Sequence, residues 1–195
     1  MADGDESGGL PPGQRPARGW PVEHYGPVPR LRPDTWFLRV FGATASGEDT
    51  RLGGDALATL PVTNVRADLH CVTKWSVRDV DWSGIATGEL LRAVPPAEDV
   101  THVMVWAEYG YSANLPLEAF AAPDTLLATH AGGEPLTPEH GYPLRLVCSS
   151  RYAWKSAKWV RAVEYLVGDR RGFWEERGYH NDADPWRDER YAYQE

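Results

Sequence analysis

The chain has 195 residues, 42% hydrophobic and 25% charged, and its 20 Lys plus Arg against 28 Asp plus Glu give a formal net charge of −8. That balance is ordinary for a globular protein and supplies enough apolar material for one domain with a core that needs no disulfide staples. The acidic excess argues against nucleic-acid or anionic-membrane partners, and no apolar run approaches the roughly 20 residues that span a bilayer.

Residues 1–19 are rich in Gly, Pro, Asp and Arg and read as a disordered tail. They hold neither an apolar h-region nor a twin-Arg pair, so a cytoplasmic protein is expected. Residues 20–195 are expected to form a single domain. Pro21, Pro27, Pro29 and Pro33 keep the first part of it extended across a surface. Residues 35–41 are β-branched and aromatic and read as a strand ended by Gly42. A short helix or turn is expected over 52–60, closed by Pro61. A strand is expected over 62–69, running into His70 and Cys71. Thr87 reads as the N-cap of a short helix that Pro95 and Pro96 stop. Strands are expected over 100–106, 126–130, 144–148 and 159–167, a capped helical turn over 114–120, and a turn at Gly132-Gly133. From Gly172 an acidic, aromatic segment is expected to wrap back onto the domain. Short strands interleaved with brief helices predict an α+β fold with mixed β-sheets and long functional loops.

Several common chemistries have no support. There is no GxGxxG, P-loop, CxxC, HExxH or GxSxG. Two cysteines do not make a disulfide framework, and Cys71 and Cys148 read as free thiols. Cys71, just beyond a strand, suits a buried structural thiol, a soft ligand for a redox metal, or a nucleophile if its pKa is lowered. Lys74 nearby favours the last two. The second feature is a basic island. Residues 142–161 carry Arg145, Arg151, Lys155, Lys158 and Arg161 and no acid. Such an island suits either a specific anion or a salt-bridged surface strand. Ser156 and Ala157 allow close backbone approach. Tyr152, Trp154 and Trp159 suit the wall of a flat heterocycle or the core.

The stretches Gly141 to Val147, Trp154 to Val160 and Gly172 to Asn181, with Tyr25 to Pro29 and Cys71 upstream in the same order, resemble the molybdopterin-binding domain of the sulfite oxidase family. The resemblance runs from about residue 20 to 191. It implies a molybdenum–molybdopterin cofactor (Moco), with Cys71 as the thiolate ligand of the metal at the catalytic centre. It implies cofactor contacts from His24, Tyr25, His140, Arg145, Ser156, Ala157 and Lys158. Lys74, Trp75, Tyr111 and Arg151 are candidates for the substrate mouth. The implied activity is oxygen-atom transfer to or from a small S-oxide, N-oxide or oxyanion. The alternatives are a molybdopterin-binding carrier or sensor without turnover, or a cofactor-free protein-binding module. Sulfite oxidases carry a further arginine shortly after the metal cysteine for their dianionic substrate, and Val72 to Ser76 contains none. The chain also lacks a C-terminal dimerisation domain and a haem domain. It therefore resembles small bacterial members related to the methionine-sulfoxide reductase catalytic subunit. A monomer served by a separate haem or flavin electron-transfer protein is expected.

Overall fold

The strand on which the first sheet is built lies where the sequence reading assigns nothing. The computed structural model describes residues 9–195. In chain order its strands are β1 (Arg15–Pro16), β2 (Phe37–Gly42), β3 (Thr50–Gly53), β4 (Val62–His70), β5 (Trp75–Ala86), β6 (His102–Ala107), β7 (Ser112–Pro116), β8 (Leu126–Ala131), β9 (Glu134–Pro135), β10 (Arg145–Val147) and β11 (Val160–Leu166). Its helices are α1 (Gly54–Ala58), α2 (Thr87–Ala93) and α3 (Leu117–Phe120). At twelve residues β5 is the longest element. Arg78, Asp79 and Asp81 hide it from a hydrophobic scan. Asp79 sits at positive φ, and its N–H donates to Asp68 Oδ1 at 2.8 Å beside an irregularity in the β4–β5 ladder. That bulge breaks the two-residue alternation by which a strand is read.

Strand β5 pairs antiparallel with β4 along one edge. On its other edge it pairs antiparallel with β8 and, near its start, parallel with β1. Strand β10 extends this sheet beyond β8, and β9 returns on β8 as a hairpin over Gly132-Gly133. The second sheet has the order β3-β2-β11-β6-β7, antiparallel except where β11 meets β2. Alternation puts Leu127 and Leu146 on one face of the first sheet and Leu126, Ala128 and Val147 on the other. The first face joins Leu38, Val40, Val103, Val105, Leu115 and Val163 of the second sheet in one core, with Leu90 of α2. The second face carries Trp82 beneath Trp20 and forms the wall behind the candidate site.

Three expectations need correction. Residues 1–8 lie outside the described residues, but residues 10–19 are not a disordered tail. Leu10 and Gln14 are buried, Arg15 N–H donates to Lys74 O (3.2 Å), and Ala17 N–H to Ser76 O (2.8 Å). A polar, proline-rich segment is held here because an open strand edge takes its backbone donors, and Pro16 needs none. Thr87 does not cap α2. The cap position is Ala86, and the Thr87 hydroxyl donates instead to Thr125 O at 3.0 Å and to Phe120 O. Asn114 opens no helical turn. It lies within β7, and only residues 117–120 are helical.

Gly84 tests the packing of β5 against β8. A Cβ there would lie 2.2 Å from Leu127 O and 2.6 Å from Ala128 Cα, which are backbone atoms that cannot swing aside. Gly84→Ala is expected to destabilise the chain by about 3 kcal/mol in denaturant unfolding, at the upper end of the usual cost of overpacking.

Candidate functional site

The turn between β4 and β5 carries Cys71. Its N–H donates to Trp75 O (2.8 Å), and Lys74 N–H returns to Cys71 O (3.0 Å). The Gln14 amide also donates to Cys71 O, at 3.0 Å. The thiol is 7% exposed and opens into a cavity of about 240 Å³. Burial pushes its pKa up to about 11, the Glu23 carboxylate adds to the rise, and hydrogen bonds from Thr73 oppose it. A free nucleophilic thiolate is therefore disfavoured at neutral pH. Lys74 occupies the left-handed position of the turn and does not line the cavity.

The same cavity is lined by His24, Tyr25, Trp75, Tyr111, His140, Arg145, Ser156, Ala157 and Lys158. Arg145 leaves β10 on the Trp82 face and is 4% exposed. Its guanidinium donates to His140 O (3.0 Å) and Ser156 O (3.3 Å) and lies over the rings of Trp20 and Trp82. Lys158 Nζ donates to Glu23 O (2.7 Å) and Glu139 O (2.8 Å). Every one of these acceptors is a backbone carbonyl. Among the described residues no carboxylate pairs with Arg145 or Lys158. Burial, with Arg145 alongside, brings the Lys158 ammonium down to about 7, and burial brings Arg145 to about 10. His140 stacks on Trp20 at 3.9 Å and bonds Thr137 through Nδ1, while its buried Nε2 has no partner. Burial, then the Arg145 and Lys158 charges, keep its pKa low. The residue that lets these groups converge is Gly141. At φ 114° it is left-handed, and a Cβ would meet Arg145 Cβ at 2.9 Å. A buried guanidinium and a half-buried ammonium that pair with no carboxylate, beside an unpartnered imidazole nitrogen, form a cradle for an anionic ligand.

The basic island thus divides. Arg151 pairs with Asp182 at 2.8 Å, Lys155 with Glu175 at 2.6 Å and Arg161 with Glu108 at 3.4 Å. Neither Arg151, paired with Asp182, nor Lys74 lines the cavity. Ser156 and Ala157 serve through the backbone. Ser156 O accepts from Arg145, Ala157 O accepts from Leu146 N–H at 2.8 Å, and Ser156 Oγ accepts from Cys148 N–H at 3.0 Å. Both cysteines are free, and Cys148 is buried in the core. His24 turns on its own segment through Gly26 O at 2.7 Å, and Tyr25 packs on Phe173 at 4.5 Å. The Tyr111 hydroxyl donates to Trp154 O, and desolvation, then Glu175, hold its pKa well above the ordinary phenol value.

Sequence reasoning missed Glu23, Thr73, Trp174 and Tyr179, which also line the cavity. The two aromatics fall within the recognised Gly172 to Asn181 stretch. Nothing in the sequence marks Glu23, because its role arises only when the N-terminal segment crosses the Cys71 turn. The Lys155–Glu175 pair fixes the Ala153–Lys155 turn that supports the cavity wall. Lys155 is 1% exposed and also bonds Asn114 Oδ1 (2.7 Å) and O (2.9 Å). Lys155→Met leaves Glu175 buried without its cation, and a loss of about 4 kcal/mol is expected in denaturant unfolding.

Residues 25–174 match the oxidoreductase molybdopterin-binding domain family. The chain is 40% identical over 190 residues to the uncharacterized oxidoreductase YuiH of Bacillus subtilis, covering 97% of this chain and 95% of that protein. It is 24% identical to the mitochondrial sulfite oxidase of Drosophila melanogaster over 81% of this chain, and spans only 32% of that protein. It is 28% identical to the protein-methionine-sulfoxide reductase catalytic subunit MsrP of Xanthomonas campestris over 70% of this chain and 46% of that protein. In fold it is similar to the sulfane dehydrogenase SoxCD of Paracoccus pantotrophus, with a TM-score of 0.69 at 20% identity, over 75% of this chain and 42% of that one. The mixed sheets, the cavity and these likenesses together make the chain a sulfite oxidase-like member of the molybdopterin-binding oxidoreductase family.

Proposed function

We propose that this protein is a Moco-dependent enzyme that moves an oxygen atom to or from a small S-oxide, N-oxide or oxyanion, with Cys71 as the protein ligand of the metal. The observation that carries the reading is the joint placement, around one cavity, of a buried thiol and two cations that pair with no carboxylate. These donors fit the cofactor. A thiolate is a soft ligand suited to a redox metal, and Arg145, Lys158 and His140 offer a phosphate-bearing pterin the charge and hydrogen bonds they lack without it. Ser156 and Ala157 would hold it through the backbone, with His24 and Tyr25 along the N-terminal segment. When bound, the cofactor supplies oxygen-atom transfer coupled to a two-electron change. The chain orients it, surrounds it with aromatic walls that exclude water, and gives the substrate a mouth beside Trp75 and Tyr111. Electrons would pass to or from a separate haem or flavin protein. The names of the fly sulfite oxidase and the Xanthomonas sulfoxide reductase fit a sulfur-centred substrate. Among the described residues no helix is long and apolar enough to cross a membrane.

The test is expression in a molybdopterin-competent bacterium, with molybdenum and oxidised-pterin content measured beside reduced-viologen turnover of S- and N-oxides. About one molybdenum and one pterin per chain with turnover are expected, and Cys71→Ser should lower turnover at least about 100-fold. Cofactor without turnover would instead favour a carrier. A well-folded chain with neither metal nor pterin would end the reading.

The cradle makes a second prediction, about stability. The folded cofactor-free chain holds Lys158 at about 7 against an ordinary value of 10.5, so above pH 7 it binds fewer protons than the unfolded chain. Its stability should therefore rise from pH 7 to 8, before the Cys71 thiol of the unfolded chain, with an ordinary value of 9.0, begins to ionise and its raised pKa in the fold opposes the trend. Lys158→Met should flatten that rise and raise the melting temperature of the cofactor-free chain by about 2–4 °C, while reducing the pterin content of cells that make the cofactor. Thermal scans across pH, with pterin assays, check both.

A further inference from the structure

The proposed function leaves the charge of the substrate open, and the surroundings of the Cys71 thiol bear on it. Two side chains reach Sγ. Glu23 Oε2 lies 3.1 Å from it and Thr73 Oγ1 also 3.1 Å. The carboxylate is fixed from both sides. Its Oε1 accepts from Trp75 Nε1 at 3.1 Å and from Thr73 Oγ1 at 3.3 Å, and its backbone carbonyl is tied to Lys158 Nζ at 2.7 Å. Thr73 and Trp75 belong to the turn that carries Cys71, so the carboxylate is registered to the thiol itself and not merely to the segment on which it sits. No Arg or Lys of the described residues contacts Sγ. Lys74 lies outside the cavity, Arg151 is paired with Asp182, and Arg145 and Lys158 donate to carbonyls of the cradle.

We infer that Glu23 is a specificity-determining residue that disfavours anionic substrates and admits neutral or cationic ones, so that the substrate is an uncharged S-oxide or N-oxide and not an oxyanion. The inference rests on the functional reading above and narrows its substrate class. A reacting atom delivered to the Cys71 end must come within a few ångströms of this carboxylate. A like charge at about 5 Å, in surroundings intermediate between water and protein interior, weakens binding by tenfold or more. Discrimination of this kind works through the repulsive group and needs no new contact to the favoured ligand.

The experiment uses the cofactor-loaded full chain and two redox-inert tetrahedral sulfur compounds, sulfate and dimethyl sulfone, which differ chiefly in charge. Each is titrated calorimetrically at fixed ionic strength into the wild type, Glu23→Gln and Glu23→Asp. The ratio of the sulfate Kd to the dimethyl sulfone Kd is expected to fall about tenfold in Glu23→Gln and to stay within about threefold of the wild type in Glu23→Asp. An unchanged ratio in Glu23→Gln, or binding of neither probe by any form, overturns the inference. Molybdenum and pterin are measured on the same samples. Stoichiometric cofactor with an unchanged ratio removes the role of Glu23 alone, whereas a chain without cofactor removes the functional reading and this inference with it.

Discussion

Arg145 and Lys158 lie within a chain that has an excess of acids, yet none of the acids among the described residues pairs with either cation. The three other cations of the same stretch each have a carboxylate. Burying charge without a partner is costly, and the cost shows in the lowered pKa of both groups. A fold keeps such an arrangement where a ligand repays it. The surroundings are built to tolerate the cost: carbonyls accept from both cations, Trp20 and Trp82 face the guanidinium, and Gly141 lets the two side chains converge. The cradle thus draws on β10, the turn before it, the loop after it, and a tryptophan from the far N-terminal segment.

That N-terminal segment is what joins the two ends of the site. Residues 15–17 add to the edge of β5, and the Gln14 amide holds the Cys71 carbonyl. A few residues on, Trp20 stacks on His140, and Glu23 touches the thiol with its side chain and Lys158 with its carbonyl. One stretch of backbone therefore sets the spacing between the thiol and the cradle. The C-terminal segment closes the other side. Trp174 and Tyr179 line the cavity, and Arg190 reaches Pro12 O at 3.3 Å and also Val72 O, so the segments around Pro12 and Arg190 meet next to the Cys71 turn.

Much of this was legible residue by residue. Cys71 stood out because it follows a strand with nothing else of its kind nearby, and the basic stretch because no acid interrupts it. The ordered set of short motifs, shared from Tyr25 to Trp174, carried the family. The misreadings have a common cause. Thr87 and Asn114 have the chemistry of caps, but tertiary partners took their side chains first: Thr125 O and Phe120 O accept from one, and Asp169 accepts from and Lys155 donates to the other. Lys74 and Arg151 are close to the site in sequence. A left-handed turn and an ion pair remove them from it.

The sequence by itself determined the α+β class, the position of most strands, the family, and the residue types of the cradle, because each is written in local pattern or in short contiguous motifs. Only the tertiary structure decided which basic residues of one island lose their partners, that a Gly- and Pro-rich segment is ordered from Leu10 on, and that an acid 48 positions upstream stands against the Cys71 thiol. The physical reason is the same in each case. Charge pairing, edge completion and the placing of one side chain against another depend on which distant segments share an edge or a cavity, and residue order along the chain does not carry that information.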